Sequence, residues 1–417
     1  MKAFGDAGGL ESAVRRAVAE AAATDIHTHL FPPSHGNLLL WGVDELLTYH
    51  YLVAELFMVA PRELTAEKFW QMPKAQQAET VWQHVFLRHG PLSEAGRGVI
   101  TALNALGLDA GGRDLAGIRN WFAGQKIEEH MPRAFKLAGV DSAVMTNDPF
   151  QPQEARHWEA RRSVWEALKP ALRIDPVIVN WPAAAKVMAG AGYKTSAMPS
   201  DAGYADARKF LIQWAEKLQP VYLAASLPPD FRYPAGDIMA RAVRNVVLPV
   251  ARELGLPVAM MIGVRRGVNP LLREAGDSVG ICDVTAVQNL CAENPDVKFL
   301  ATVLSRVNQQ ELCVCARKFR NLHVFGCWWF CNGPSAIAEI TRQRLELLGT
   351  AFTANHSDAR VLEQVIYKWS HTRKVLADVL AEKYADLFRA GWRPTEDEIR
   401  RDVRSLLGGA FEEFLAK

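Results

Sequence analysis

The rhythm of hydrophobic and polar positions changes along the chain. Leu10, Val14, Ala17 and Val18 recur at helical spacing, so residues 9–23 predict an opening helix. The short apolar run ATDIHTHL follows and predicts a strand ending in His27 and His29. Residues 38–136 return to helical periods broken by loops. LLLWGVDELLTYHYLVAELFMV is apolar at helical period, TAEKFWQMPKAQQAETVWQHVF reads as a helix start and an amphipathic run, and the glycines between 107 and 117 mark a loop. From residue 139 the pattern becomes regular, an apolar run followed each time by helical sequence. The apolar runs are GVDSAVMTND (139–148), ALRIDPVIVNW (171–181), PVYLAASL (220–227), PVAMMIGV (257–264), VKFLATVL (297–304), NLHVFGCWWF (321–330) and LGTAFTANHSD (348–358). The helical stretches are EARHWEARRSVWEAL, DARKFLIQWAEKL (206–218), segments near 236–254, 283–293 and 308–318, PSAIAEITRQRLELL and a long tail.

Apolar runs of this length suit strands buried on both faces. Strand–helix alternation implies parallel pairing. With ATDIHTHL there are eight strands, the number that closes a (β/α)₈ TIM barrel. The expected class is therefore α/β, a single domain over residues 1–417, with a helical insertion at about 38–136 between strands one and two. A doubly wound open sheet is the competing arrangement.

Composition acts mainly by exclusion. The 48 basic and 46 acidic residues leave a net charge of +2, which excludes an electrostatically driven nucleic-acid binder and supplies no polybasic membrane address. No run of 18 apolar residues exists, and the first 20 residues lack the apolar core of a secretory signal. Six cysteines, all late in the chain, do not form a disulfide framework. A reduced, cytoplasmic protein is expected, with no nucleic-acid or membrane partner. Cys313, Cys315, Cys327 and Cys331 are expected to be buried spectator thiols, and Asp277 and Asp283 to shape a turn and cap a helix. Twelve tryptophans are many; most belong in a core, and some line ligand pockets.

In a barrel, catalytic groups sit at the C-terminal strand ends. Those ends carry His27 and His29; Asn147 and Asp148; Trp181; Arg265 and Arg266; Trp328 and Trp329; and His356, Asp358 and Arg360. His27 and His29 are two apart on a strand, so their imidazoles share a face. Two imidazoles converging in an interior favour a shared divalent metal over mere hydrogen bonding at a strand end. Asp358 ends strand eight, the neighbour of strand one in a closed barrel, and would complete a His-His-Asp set. Such a set accepts zinc, manganese, iron or cobalt. His50 and Tyr51 lie in a helical pattern, where a satisfied polar pair is the ordinary explanation. Tyr51 becomes an acid or base only if a nearby cation or metal lowers its pKa. Arg360 is a surface arginine or a fixed cation for a substrate carboxylate or enolate oxygen.

Taken together, these segments resemble the uronate (glucuronate) isomerases, members of the metal-dependent amidohydrolase superfamily. TDIHTHLFPP is similar to the family's D-x-H-x-H-L-P-P, YHY to its H-Y pair, and VMTNDP to its T-T-D-D-P. MIGVRRGVN is similar to H-I-G-A-L-R-N-N-N, AGDSVGICD to G-x-D-V-G-F-D, VFGCWWFCN to F-G-S-G-W-W-F-N-D, and HSDAR to T-D-S-R. The matches run in order along nearly the whole chain. The resemblance implies a (β/α)₈ barrel with one divalent metal, often zinc, that interconverts an aldose and a ketose sugar acid such as D-glucuronate and D-fructuronate. By position it makes His27, His29 and Asp358 metal ligands. It sets His50 and Tyr51 beside the substrate in proton transfer, with Arg360 at the carbonyl end. Arg266, Trp328 and Trp329 would line the sugar site, with Asp148 near strand two. Three departures stand out. Met261 replaces a histidine, Asn180-Trp181-Pro182-Ala183 stands for the third-strand W-R-P-D, and Ser226-Leu227-Pro228-Pro229 for an S-D-H region. A metal-dependent hydrolase or lyase acting on another small acid, and a non-catalytic sugar-acid binder, are the competing functions. A homo-oligomer is the expected assembly, because large barrels often associate.

Overall fold

The structure is a computed structural model that describes residues 4, 6–160 and 164–417. The opening helix spans Ala7–Glu20 and is capped by Asp6, whose side chain accepts from Gly9 N at 2.8 Å. The strands in chain order are β1 (Ala23–Thr28), β2 (Val140–Asn147), β3 (Leu168–Arg173), β4 (Leu223–Leu227), β5 (Val258–Ile262), β6 (Val264–Arg265), β7 (Ser278–Val279), β8 (Phe299–Val303) and β9 (Leu322–Val324). Seven of them form one sheet, in the order β1-β2-β3-β4-β5-β8-β9. Every pairing in it is parallel. β6 and β7 form a separate antiparallel pair, which the sequence pattern did not foretell.

Strand period decides which residues enter which core. Leu223, Ala225, Met260, Ile262, Phe299 and Ala301 pack into the large cluster under the helices. Their alternating neighbours Ala224, Ala259, Met261 and Leu300 join Ile26, Val144 and Ala171 in a second cluster on the opposite face. Phe411 and Phe414, from the last helix, Ala410–Ala416, belong to this second cluster. Both faces are therefore apolar, as near-continuous hydrophobic runs require.

The expected eighth strand, 348–358, is not a regular strand. Thr353 makes one parallel bridge to Phe325, with Thr353 N donating to Val324 O at 3.1 Å. At its other end Asp358 N donates to His27 O at 3.2 Å, and His29 N to Ala359 O at 2.7 Å. The segment thus touches both edge strands, β9 and β1. Between these contacts the ladder is interrupted, because Ser357 N donates to the Asp25 carboxylate at 3.0 Å and Asp358 adopts φ 54°. A left-handed residue breaks the regular extended run of a ladder.

The third strand also differs from expectation. It stops at Arg173, and the rest of ALRIDPVIVNW is helical, as Asp175–Val179 and Trp181–Gly190. Pro176 and Pro182 stand in the first turns of these helices, where proline's fixed φ is already helical. A short apolar run does not by itself distinguish a strand from a buried helix. Likewise only Leu322–Val324 of 321–330 is strand, and Trp329–Cys331 is a 3-10 turn. The helix expected over EARHWEARRSVWEAL covers Pro152–Glu159; residues 161–163 of that stretch lie outside the described ones, and Leu168 already belongs to β3.

Between β1 and β2 the chain runs through helices from Pro33–Leu38 to Ile127–Ala138. A fully buried pair anchors them. His130 Nε2 lies 2.7 Å from Glu363 Oε1, and Glu363 Oε2 accepts from Gly42 N at 3.0 Å. Among the described residues no helix is long and apolar enough to cross a membrane.

Candidate active site

β1 and the 353–359 segment bring a pair of histidines and a carboxylate far from them in sequence together. Asp358 Oδ1 lies 3.6 Å from His27 Nε2 and 3.3 Å from His29 Nε2. One ligand atom from each of the three lies within 4.8 Å of the others, a spacing compatible with one shared ion.

Counting protons fixes the histidine tautomers. Thr146 Oγ1 owns one hydrogen and donates it to Thr28 O at 3.1 Å. Its 2.8 Å contact with His29 Nδ1 is therefore a bond that His29 Nδ1–H donates. Tyr222 likewise donates its hydrogen to Ile26 O at 2.7 Å and accepts from His27 Nδ1–H at 3.4 Å. Both rings then turn a bare Nε2 lone pair toward Asp358. Burial holds both rings neutral, with the His27 pKa lowered to about 3. Asp358 Oδ1 is buried without a hydrogen-bond partner. Two lone pairs and an orphaned carboxylate oxygen pointing at one another repel unless a cation lies between them, so the donor set fits a divalent metal.

His356, two residues before Asp358, is fully buried with both ring nitrogens unpartnered, its ring 5.3 Å from that of His27. A Cβ at position 326 would overlap the His356 ring, which is why Gly326 must be a glycine.

Helix His50–Val59 begins beside this group. The His50 ring is 4.5 Å from that of Tyr51 and 5.2 Å from that of Trp329. His50 has no hydrogen-bond partner at either ring nitrogen, and burial followed by the charge of Arg360 lowers its pKa to about 4. Burial raises the Tyr51 phenol well above its usual range. Arg360 Nη1 contacts Glu274 Oε2 at 2.5 Å, and the same oxygen lies 3.9 Å from His50 Nδ1. Burial works against the Glu274 carboxylate, but Arg360 outweighs it and its pKa falls to about 2. A cavity of about 450 Å³ opens here, lined by His50, Tyr51, Glu274, Trp329, Asn332 and Lys368 among others. Larger cavities of about 820 and 790 Å³ lie elsewhere and touch none of the expected site residues.

The remaining expected residues sit farther out. Arg266 is exposed at the rim, 2.5 Å from Asp277 Oδ2 and 5.9 Å above the Trp329 ring. Asp277 also accepts from Gly267 N, in the turn-forming part expected of it. Trp328 is buried in the inner apolar cluster and does not line the cavity. Asp148 is buried, accepts from Phe150 N at 2.9 Å, and has its carboxyl pushed up by burial against the pull of Arg173. All four cysteines named above are buried free thiols.

Trp181 does not stand where the sequence pattern set it. It lies inside a helix, fully buried, with Nε1 donating to Ser196 O, and marks no strand end. An arginine and an aspartate do stand at the end of β3: Arg173 and Asp175, 3.0 Å apart. Asp175 also accepts from Ser226 N at 2.9 Å, joining the ends of β3 and β4. Placing the strand end eight residues too late hid this pair. Met261 fills the inner apolar cluster. Thr146, Tyr222, Glu274 and Lys368 were not foreseen either; no local pattern marks them.

Fold and site together define a parallel α/β protein with a His-His-Asp group of metal-ligand type where the first and last segments of the sheet meet. No protein-family model matches the chain, and no curated protein does. Among solved structures, a uronate isomerase from Bacillus halodurans C-125 shares 45% identity over 99% of this chain and 98% of its own, at a TM-score of 0.96. The chain belongs to the uronate isomerase family. The same fold recurs at lower identity in a uronate isomerase from Thermotoga maritima (16% identity, 99% and 100% of the two chains, TM-score 0.78). It recurs also in a glucuronate isomerase from Caulobacter crescentus (15%, 99% and 95%, TM-score 0.77).

Proposed function

We propose that this chain is an aldose–ketose isomerase of sugar acids of the D-glucuronate/D-fructuronate type, working with one divalent metal, zinc being the expected ion. The reading rests on the meeting of His27, His29 and Asp358 beside a cavity lined by His50 and Tyr51, in a chain 45% identical to a uronate isomerase. It takes the fold as one (β/α)₈ domain closed by the 353–359 segment, with the helices between β1 and β2 as an insertion.

His27, His29 and Asp358 would hold the metal, which when bound polarises substrate oxygens as a Lewis acid. The other groups divide the proton work. Isomerisation takes a proton from C2 and returns one to C1 while an oxygen carries negative charge. His50 is neutral and unpartnered, so it takes the proton from C2 and returns it to C1; an anionic substrate beside it raises its proton affinity. Tyr51, held as a phenol, gives its proton to the C1 oxygen and recovers one from the C2 hydroxyl, so it ends the cycle as a phenol and does not act as a resting phenolate base at neutral pH. Arg360 stabilises the developing oxyanion, releasing Glu274 as it does so. Arg266 and Trp329 line the sugar, Trp328 packs behind Trp329, and Asp148 at the end of β2 is the further sugar contact in this reading.

The test is incubation of metal-loaded protein with a panel of hexuronates in deuterated water. Isomerisation gives an isomeric product carrying solvent deuterium at the migrating-hydrogen carbon, and a chelator abolishes it. Water uptake or bond cleavage would point to a hydrolase or lyase, and binding without turnover to a sugar-acid binder.

A further inference from the structure

One carboxylate faces two of the groups to which the chemistry is assigned. Glu274 Oε2 is 2.5 Å from Arg360 Nη1 and 3.9 Å from His50 Nδ1. Glu274 comes from the 3-10 turn Pro270–Gly276, which breaks at Arg273 (φ 55°). The Arg273 guanidinium lies over the Trp70 ring, 4.5 Å from its centre, while Glu274 lines the cavity. The backbone of the turn is tied down. Trp70 Nε1 donates to Leu271 O at 2.9 Å, Asn269 N to Gly276 O at 3.0 Å, and Gly267 N to Asp277 at 2.8 Å. The Glu274 side chain itself is 55% exposed, with room to change rotamer. His50 is in the opposite condition, buried with both ring nitrogens unmet. The rings of Tyr49, Tyr51 and Trp329 pack on it at 4.1, 4.5 and 5.2 Å. The charges acting on it are Arg360, Glu274, Asp358 and Arg266, and Glu55, Glu94, Asp277 and Lys368 stand on the wall of the same cavity. Asp358 belongs to the metal-ligand group, Asp277 holds Arg266, and Glu94 holds Arg97 and His371. Glu274 is thus the anion placed to serve His50.

We propose that Glu274 is a positioning residue that changes partner during turnover: it holds Arg360 in the empty site and passes to His50 Nδ1 when a substrate oxygen claims Arg360. This rests on the reading of His50 as the group that carries the proton from C2 to C1. While His50 holds that proton, its ring is a cation and a substrate oxygen is an anion. An unbroken Arg360–Glu274 pair serves neither charge. After the exchange the guanidinium faces the oxyanion and the carboxylate faces the imidazolium. The swing is short, because closing 3.9 Å to a hydrogen bond needs a movement of about 1 Å. A carboxylate at Nδ1 also fixes the proton on that nitrogen and leaves Nε2 to meet the substrate carbon. Only the proton already assigned to His50 moves; Glu274 stays a carboxylate throughout and returns to Arg360 when product leaves.

The test compares metal-replete wild type, Glu274→Gln and Glu274→Asp with a hexuronate. Glutamine removes the competitor for Arg360 and the counter-ion of His50 together. It should lower KM by about threefold or more and kcat by about 10–100-fold. The acid limb of kcat should move down by about one pH unit, because losing an anion lowers the proton affinity of the base. Glu274→Asp keeps the charge and should keep the wild-type limb. A merely structural residue would raise KM and leave the limb in place; either result overturns the proposal. If Glu274→Gln does not fold, Glu274→Ala replaces it in the same comparison. A second measurement needs no turnover. In zinc-loaded, histidine-labelled protein without substrate, NMR follows the His50 titration in wild type, Glu274→Gln, Arg360→Gln and the double variant. Arg360→Gln frees Glu274, so the His50 midpoint should rise by at least about half a unit more with Glu274 present than without it. Equal rises mean that Glu274 does not pass to His50, and overturn the proposal. If wild type turns over no uronate, the isomerase reading fails, and this cycle still decides the exchange.

Discussion

Replacing Thr146 with valine should weaken metal binding without touching a ligand. Valine keeps the shape of threonine and removes the hydroxyl that donates to Thr28 O at 3.1 Å and receives the His29 Nδ1–H at 2.8 Å. His29 then loses the bond that fixes its tautomer and its ring angle. Losing a partner of this kind costs roughly 10–100-fold in metal affinity, or about 1.4–2.8 kcal/mol. Thr146 is 5% exposed, but the His29 side chain is 23% exposed, so water can recover part of the Nδ1–H bond. The lower part of the range, about tenfold, is the expected value. The orphaned Thr28 carbonyl adds about 1–3 kcal/mol of lost stability in the metal-free protein. Competition titration of Zn²⁺ and Mn²⁺ against a chromophoric chelator measures the first effect, and urea unfolding the second. Thr146→Ser retains the hydroxyl and should bind within about twofold of wild type. Tyr222→Phe, acting on His27 through a longer 3.4 Å bond, should cost less than Thr146→Val. A Thr146→Val protein that binds metal as tightly as wild type, or a serine variant as weak as the valine one, would refute the proton count.

Three further outcomes follow from the same structure. Glu363→Ala strands a buried imidazole and Gly42 N–H, so urea unfolding should show a loss of about 3–5 kcal/mol, against about 1 for Glu363→Gln; a loss under about 1 kcal/mol for the alanine variant contradicts the anchoring role. Asp25 is fully buried, its pKa raised to about 6 chiefly by desolvation, although Ser357 N and Trp369 Nε1 donate to it. A raised carboxyl pKa means the folded state holds the proton more tightly, so this contribution is complete below about pH 4 and is lost as pH rises through 6. The stability of wild type relative to Asp25→Asn should therefore increase by about 3 kcal/mol on going from pH 7.5 to 4, and a flat difference would rule the shift out. Arg360→Met should lower kcat by about 100-fold or more with little change in thermal midpoint, as expected of an oxyanion stabiliser; steady-state kinetics at saturating uronate decide it.

The legible part of this protein was the part written in local pattern. Seven apolar runs marked the parallel strands, because strands buried on both faces must be apolar throughout. The pair His27 and His29 announced itself by two-residue spacing, and Asp358 by standing at the end of the last run. What stayed hidden depended on where one kind of apolar run stops and another begins. ALRIDPVIVNW reads as one strand, yet its prolines open helices, and the misplaced boundary concealed Arg173 and Asp175. The last run likewise makes one bridge rather than a ladder, because Asp25 takes a backbone donor from it.

Residue order therefore specified the alternation of strand and helix, the apolar faces and the metal-ligand types, since each is a property of neighbours a few positions apart. Only the folded chain specified the proton on His29 and the pairing of Arg360 with Glu274. Each of these is a balance of donors, acceptors and charges among groups 86 to 117 residues apart, and such balances exist only once desolvation and distance have been set by the tertiary structure.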